Sequence, residues 1–280
     1  MSIQPIAELF GFPPGSNTEE AQRYRRNRLC PYNNKVPNCT KDSVIDPLGV
    51  CSINHGNNLA VICPVRLRQE WIIADQAAEF FFPVGTQWTT LVEVRLKDKN
   101  GKSAGNIDVV LVAYDESGTV TDFGSLEVQT VYISGNLRRA FFNPLMQNRE
   151  EYLSVDWEHS RKKNPAPDYL SSSRKRLAPQ LIFKGSILDK LRKKSAVAID
   201  QCFFDTLRIP AEVPKEQAEI AWLIYGLEPS GNTEAELHLE YGRTVYTCRP
   251  DNFHEPELFQ DLSEEEVLSQ LESEFEKVVV

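Results

Sequence analysis

The chain of 280 residues has no uninterrupted apolar run of about 18 residues, so no stretch reads as a membrane-spanning helix. Its N-terminus lacks the charged-then-apolar pattern of a secretory leader, and the expected location is the cytoplasm. No internal repeat is present, which argues against solenoid and propeller arrays. Cysteine pairs spaced C-x2-C are also missing, and with them the signature of a zinc knuckle. Overall positive charge is absent too: the net charge is -9. That last absence excludes nucleic acid as a partner only if charge is spread evenly.

It is not spread evenly. Residues 161–194 carry eleven Lys and Arg against Asp168 and Asp189, while the segment after them is strongly acidic. Local sign, rather than net sign, decides contact with phosphate. A second basic run, Arg23, Arg25, Arg26 and Arg28, lies within a segment capped by Ser16-Asn17-Thr18 and opened by Glu19 and Glu20, which predicts a helix. For both runs the competing reading is a solvated surface.

Six cysteines are present, and Cys30, Cys39, Cys51 and Cys63 fall close together at spacings x8, x11 and x11. In a reducing compartment such a cluster points to a metal rather than to disulfides. The segment from 29 to 65 is rich in Asn, Pro and Asp, so a loop-rich fold stapled by metal is expected there. Zinc satisfies a four-thiolate site, His55 is a possible replacement ligand, and buried free thiols are the alternative. Gln69 to Phe82 has helical spacing, ended by Pro83 and Gly85.

Strands follow. Val92, Val94 and Leu96 alternate with Glu93, Arg95 and Lys97, then Asn100-Gly101 offers a hairpin turn. Ile107 to Tyr114 is nearly continuous in apolar residues, and Ser125 to Ile133 makes a third strand. Further core strands are expected at Ala196 to Ile199, continuing to Phe203 and Phe204, at Ile220 to Leu227, and at Leu237 to Thr247, with helices at Ile187 to Lys194 and Leu262 to Phe275. Asp108, Glu127 and Gln129 thus stand in otherwise apolar strands, with Glu93 on the neighbouring arm. Burying acids there is costly unless a cation offsets them. Asp108 and Glu127 on facing positions suit one hard divalent cation, Mg²⁺, with the backbone carbonyl of Val128 as a further donor.

Asp108 followed by Glu127-x-Gln129 resembles the PD-(D/E)XK nuclease core, with glutamine where lysine is usual. The longer text Gly105-Asn-Ile-Asp108-Val-Val-Leu-Val, then Asp122-Phe-Gly124-Ser-Leu-Glu127-Val-Gln129-Thr-Val-Tyr132-Ile-Ser-Gly135, is similar to the NotI-type family of type II restriction endonucleases. So is a four-cysteine segment ahead of the core. The resemblance implies a bacterial-type host, an α/β restriction-endonuclease-like fold with a mixed sheet and flanking helices, and catalytic positions at Glu93, Asp108, Glu127 and Gln129. It also implies a structural iron on Cys30, Cys39, Cys51 and Cys63, although the spacing here is longer than usual for the family. The expected division is a basic helix and cysteine segment at 1–66, and a nuclease domain at 67–280 that holds the basic stretch and an acidic C-terminal helix. The expected activity is Mg²⁺-dependent cleavage of double-stranded DNA by a homodimer at a palindromic, GC-containing site. Arg23, Arg25, Arg26, Arg174, Arg176, Lys193 and Lys194 are the expected DNA contacts. A metal-stapled DNA-binding protein without catalysis and an iron-sulfur DNA exonuclease are the rival readings.

Overall fold

The computed structural model describes residues 4–33, 37–97, 103–157, 164–230, 236–249 and 263–279. Eleven strands are present among them: β1 (Ile6–Leu9), β2 (Val50–His55), β3 (Asn58–Val61), β4 (Trp88–Lys97), β5 (Ser103–Tyr114), β6 (Val120–Gln129), β7 (Ile133–Ser134), β8 (Ala166–Pro167), β9 (Ser195–Asp200), β10 (Ile220–Pro229) and β11 (Leu237–Thr247). The largest sheet has six strands in the order β11-β10-β9-β6-β5-β4. Its meander β4-β5-β6 is antiparallel, β6, β9 and β10 run parallel, and β11 returns antiparallel. Parallel neighbours need a crossover, and the chain between β6 and β9 supplies a long one.

One face of this sheet is covered by α2 (Ile72–Phe81), whose Ile73, Ala77, Phe80 and Phe81 pack on Val109, Leu111, Leu126 and Val128. Gly124 is required there, because a Cβ at that position would come within 2.4 Å of the Phe81 ring. The helix begins at Ile72 rather than at Gln69. Residues Pro64–Trp71 form a tighter 3-10 segment, and Glu70 and Trp71 hold positive φ, which breaks the helical ladder ahead of it.

The other face receives two helices. α5 (Tyr169–Ser172), a wider π-type turn over Ser173–Leu177 and α6 (Ala178–Lys190) run on without a break. The expected helix, Ile187 to Lys194, is therefore only the end of a much longer one, with Pro179 and Gly185 inside it. Proline lacks the amide that would bond one turn back, and the widened turn just before Pro179 makes room for its ring. The same pairing of a π-type turn, Arg138–Phe142, with a proline, Pro144, opens α3 (Asn143–Gln147), which leads into α4 (Arg149–Ser154). Phe203 and Phe204 lie not in a strand but in α7 (Gln201–Phe204). The last helix, α8 (Glu264–Val279), opens with Ser263 and Glu266 capping each other's amides and seats Val267, Leu271 and Phe275 against Val110, Val112 and Phe123.

The N-terminal segment is less loop-rich than expected. α1 (Glu19–Asn27) forms as predicted, capped by Thr18, and β1, β2 and β3 make a three-stranded sheet. The β2–β3 hairpin turns through Gly56-Asn57, with Gly56 at φ 59°. This small sheet does not close its own core: Leu137, Phe141, Phe142, Leu145 and Tyr152 complete it from beyond β7. The Asn100-Gly101 turn and Leu262 lie outside the described residues.

A buried ion pair joins the two sheets. Glu8 on β1 accepts from Arg66 at 2.9 Å and from the Ser52 hydroxyl at 2.6 Å, and both charged residues are fully buried. Arg66 also donates to the Leu237 carbonyl on β11 and to Gln69. Burial pushes the Glu8 carboxyl up, and the guanidinium opposes that rise. We predict that Arg66→Ala costs about 3–5 kcal/mol in urea unfolding because it strands a buried carboxylate, and that Glu8→Gln with Arg66→Met recovers most of the loss. Equal losses in the single and the double variant would contradict this.

Candidate active site

Strand register brings the acids into one row. β4 pairs Val92 with Val109 and Val94 with Ile107, so Glu93 stands opposite Asp108. β5 pairs Val109 with Leu126, which puts Asp108 opposite Glu127. Residues directly opposite one another share a face, and Gln129, two residues on from Glu127, shares it as well. Glu93 occupies its place at φ 55°, a left-handed conformation that costs a non-glycine residue about 1–2 kcal/mol.

The row descends from solvent into the protein: Glu93 is exposed, Asp108 half-buried and Glu127 buried. An Asp108 carboxylate oxygen accepts the Val128 amide at 3.1 Å. Glu127 Oε2 accepts from the Lys184 ammonium at 2.5 Å, its buried Oε1 receives no N–H, and the Asp108 carboxyl lies within hydrogen-bond reach of Glu127. Burial raises the Glu127 carboxyl to about 7, and the neighbouring Asp108 charge adds to the rise against the opposing pull of Lys184.

Lys184 and Gln180 reach the row from α6. They are four residues apart on the helix, on one face and about 6 Å apart along its axis. Glu127 and Gln129 are two apart on the strand, about 6.6 Å. The two spacings nearly match, so Lys184 meets Glu127 while the Gln180 side chain accepts from the Gln129 amide. Neither helix residue was expected at the site. Their available signal was two polar groups one turn apart among Leu177, Leu181 and Leu188, hidden by reading 161–194 as one basic surface.

Above the row lies an open cleft of about 1170 Å³. It is lined by Glu93, Asp108, Val128 and Gln129, by Tyr32, Lys41 and Arg68 from the cysteine-bearing segment and the turn after it, and by Tyr132, Arg138 and Arg176. The Arg176 guanidinium lies 5.1 Å from the Tyr132 ring centroid.

The other expected DNA contacts are dispersed. Arg174 lines a separate apolar groove beside Leu177, Leu181 and Trp222. Arg23 and Arg26 are exposed on α1, away from the residues that line the cleft. Arg25 donates to the Ser16 carbonyl at 2.7 Å and to that of Pro13, and burial next to Arg149 lowers it to about 10. Lys193 bridges Asp122 and Glu264 at 2.7 Å each, and Lys194 donates to the Phe80 carbonyl at 3.2 Å. The Lys193 contact at Asp122 lies near the start of β6, whereas Lys194 leads into β9 and its carbonyl accepts from the Ser125 amide. Both make contacts that hold the fold together. Arg161, Lys162 and Lys163 lie outside the described residues.

The four cysteines are free thiols that share one neighbourhood: charge on Cys63 raises each of Cys30, Cys39 and Cys51. Burial pushes Cys30 up to about 12. Among the described residues, however, no three His, Cys, Asp or Glu side chains stand in a metal-holding arrangement, at the cysteines or at the acid row. Cys39 instead packs as a small apolar group with Leu48 and Val50.

Residues 17–238 match the profile of the family described as restriction endonuclease NotI. The chain belongs to that family. The match runs from the residue before the α1 cap to the second residue of β11 and includes all four clustered cysteines, the acid row and α6. NotI-family membership makes the protein a type II restriction endonuclease, a hydrolase that cuts double-stranded DNA site-specifically. A search of curated proteins found no match. None of the described helices is long and apolar enough to cross a membrane.

The raised Glu127 carboxyl carries a stability signature. Between the ordinary glutamate value of about 4.5 and about 7, the folded chain binds more protons at this group than the unfolded chain, so its contribution is present at low pH and lost as pH rises through 7. Asp200, also raised to about 7 by burial, adds a similar slope, which makes a variant necessary to isolate Glu127. Metal-free Glu127→Gln should gain stability relative to the parent as pH rises from 5 to 8 in urea titrations. A difference independent of pH would show that Glu127 titrates normally.

Proposed function

We propose that the acid row is the cleavage site, and that the enzyme hydrolyses DNA with Mg²⁺ held by Asp108, Glu127 and the Val128 carbonyl. The observation that carries this reading is the closeness of the buried Glu127 carboxyl to the Asp108 carboxyl, which lines the cleft, with no N–H on Glu127 Oε1. Acids packed in this way leave room in their charge balance for a divalent cation. When bound, Mg²⁺ lowers the pKa of a coordinated water and polarises a phosphoryl oxygen.

The chain's own groups divide the remaining work. Gln129 cannot ionise, and its amide nitrogen is committed to Gln180, so its carbonyl oxygen is left to accept from a water and orient it. Glu93, at the exposed end of the row, is the auxiliary acid. In-line attack forms a bond from the water oxygen to phosphorus as one P–O ester bond breaks, and the departing oxygen takes up a proton. Arg176 and Arg68, which line the cleft, supply positive charge for the DNA backbone, while Arg138 is paired with Asp42 and Asp46 and Lys41 donates to the Ile62 carbonyl. The recognition site is palindromic and GC-containing, read by arginines at guanine edges, and a homodimer supplies the matching two-fold axis.

The cysteine segment carries a structural metal, iron or zinc, on Cys30, Cys39, Cys51 and Cys63. Supporting this are their shared neighbourhood and the family's span across all four. A metal bound as thiolates would hold these groups deprotonated despite their burial. An iron-sulfur exonuclease is disfavoured, since all four clustered cysteines precede the acid row.

Two measurements test this. Digestion of a large viral DNA with Mg²⁺, followed by sequencing of the ends, should give one discrete sequence for the parent, and Asp108→Ala should lose on the order of a hundredfold or more of the rate. Random ends, or undiminished cutting by the variant, would overturn the reading. Elemental analysis of protein purified without chelator should find close to one iron or zinc per chain, and Cys51→Ser should lose it along with the protease resistance of residues 29–65. Metal-free protein that keeps that resistance would remove the metal from the account.

A further inference from the structure

We infer that Lys184 is a positioning residue for cleavage: from α6 it supplies the fixed positive charge that Gln129 cannot carry, and it acts through Glu127. The inference rests on the acid row being the cleavage site. Three observations lead to it.

The first is burial without a structural need. Lys184 is 7% exposed, and its ammonium is paired with a single carboxylate oxygen, Glu127 Oε2, at 2.5 Å. Burying such a pair is no more stabilising than an apolar side chain of similar size, because both ions must be stripped of water. The neighbours Leu181, Ile187 and Leu188 already hold α6 on the sheet. Packing therefore does not account for a lysine at 184.

The second is the charge balance of the row. Glu93, Asp108 and Glu127 stand on adjacent strands, and among the described residues Lys184 is the cation paired with them. It is paired with the innermost carboxylate. Asp108 is close to the same carboxyl and lines the cleft.

The third is geometric redundancy. The Gln180–Gln129 contact one turn earlier locks the same helix face to the same strand face. Two contacts at matched spacing fix the Glu127 rotamer more tightly than either alone.

This arrangement predicts a split that loss of packing does not produce. Lys184 is not itself a metal ligand, so its removal leaves both carboxyls of the inner row to a divalent ion, and affinity for that ion is kept. Glu127 meanwhile loses its fixed orientation, and turnover falls. The experiment compares the parent with Lys184→Met, Lys184→Gln and Lys184→Arg, with Asp108→Ala alongside. Calcium, which fills such sites with little turnover, is titrated calorimetrically without DNA. DNA binding is measured in calcium, and single-turnover cleavage at saturating magnesium.

Lys184→Met and Lys184→Gln should cleave at least about tenfold more slowly, with calcium affinity within about threefold of the parent or tighter, and with DNA affinity within about threefold. Lys184→Arg should restore a substantial part of the rate. If Lys184→Met does not fold, Lys184→Gln carries the test, since it keeps a donor, on a side chain one atom shorter, but not the charge. Parental cleavage by the neutral variants would overturn the inference. So would parallel loss of calcium affinity, turnover and thermal midpoint, which marks a packing role. Should the parent fail to cleave, or Asp108→Ala cleave normally, the fault lies with the site reading rather than with Lys184.

Discussion

Everything at the centre of this protein turns on one carboxylate held where water cannot solvate it. Glu127 sits on a central strand of the six-stranded sheet, under α6, with an ammonium on one oxygen and no N–H on the other. A carboxylate so placed resists ionisation, which is why its pKa rises to about 7 even with Lys184 against it. The parallel step from β6 to β9 buries Glu127 from one side, the meander brings Asp108 and Glu93 up on the other, and α6 closes the top. Strand order, register and helix docking all meet at this group.

The N-terminal segment belongs to the same design rather than to a separate module. Its small sheet borrows a core from residues 137–157, and its Glu8 is tied through Arg66 to β11, the far edge of the large sheet. Those attachments bring Tyr32 and Lys41 to the cleft that Tyr132 and Arg176 also line. A metal on the cysteines, as proposed, would stiffen that segment without touching the acid row.

Much of the large sheet could be read from the sequence, because its signals are local. Period-two alternation marked β4, the long apolar run marked β5, and the Thr18 and Ser263 caps marked α1 and α8. The acid row was legible for a related reason: charge in an apolar strand is conspicuous one residue at a time. What escaped depends on partners distant in sequence or on broken rules. Pro179 and Gly185 hid α6, since a widened turn absorbs a proline that propensity alone would forbid. The β2–β3 hairpin was obscured by polar Asn and Ser at positions that tertiary packing buries or pairs. Lys184 was visible only as one charge in a basic run, because its meaning comes from Glu127, 57 residues earlier. Lys193 and Lys194 show the converse, since charges counted toward DNA are spent on Asp122, Glu264 and a backbone carbonyl.

The account's central claim is that Asp108 and Glu127 hold the divalent ion in the cleft. Crystals grown with Mn²⁺ in place of Mg²⁺ and measured at the manganese absorption edge test it most directly. The anomalous map should show a peak between the Asp108 carboxylate and Glu127 Oε1, and the peak should vanish in Asp108→Asn. A peak elsewhere in the cleft, or one that survives that substitution unchanged, would contradict the account.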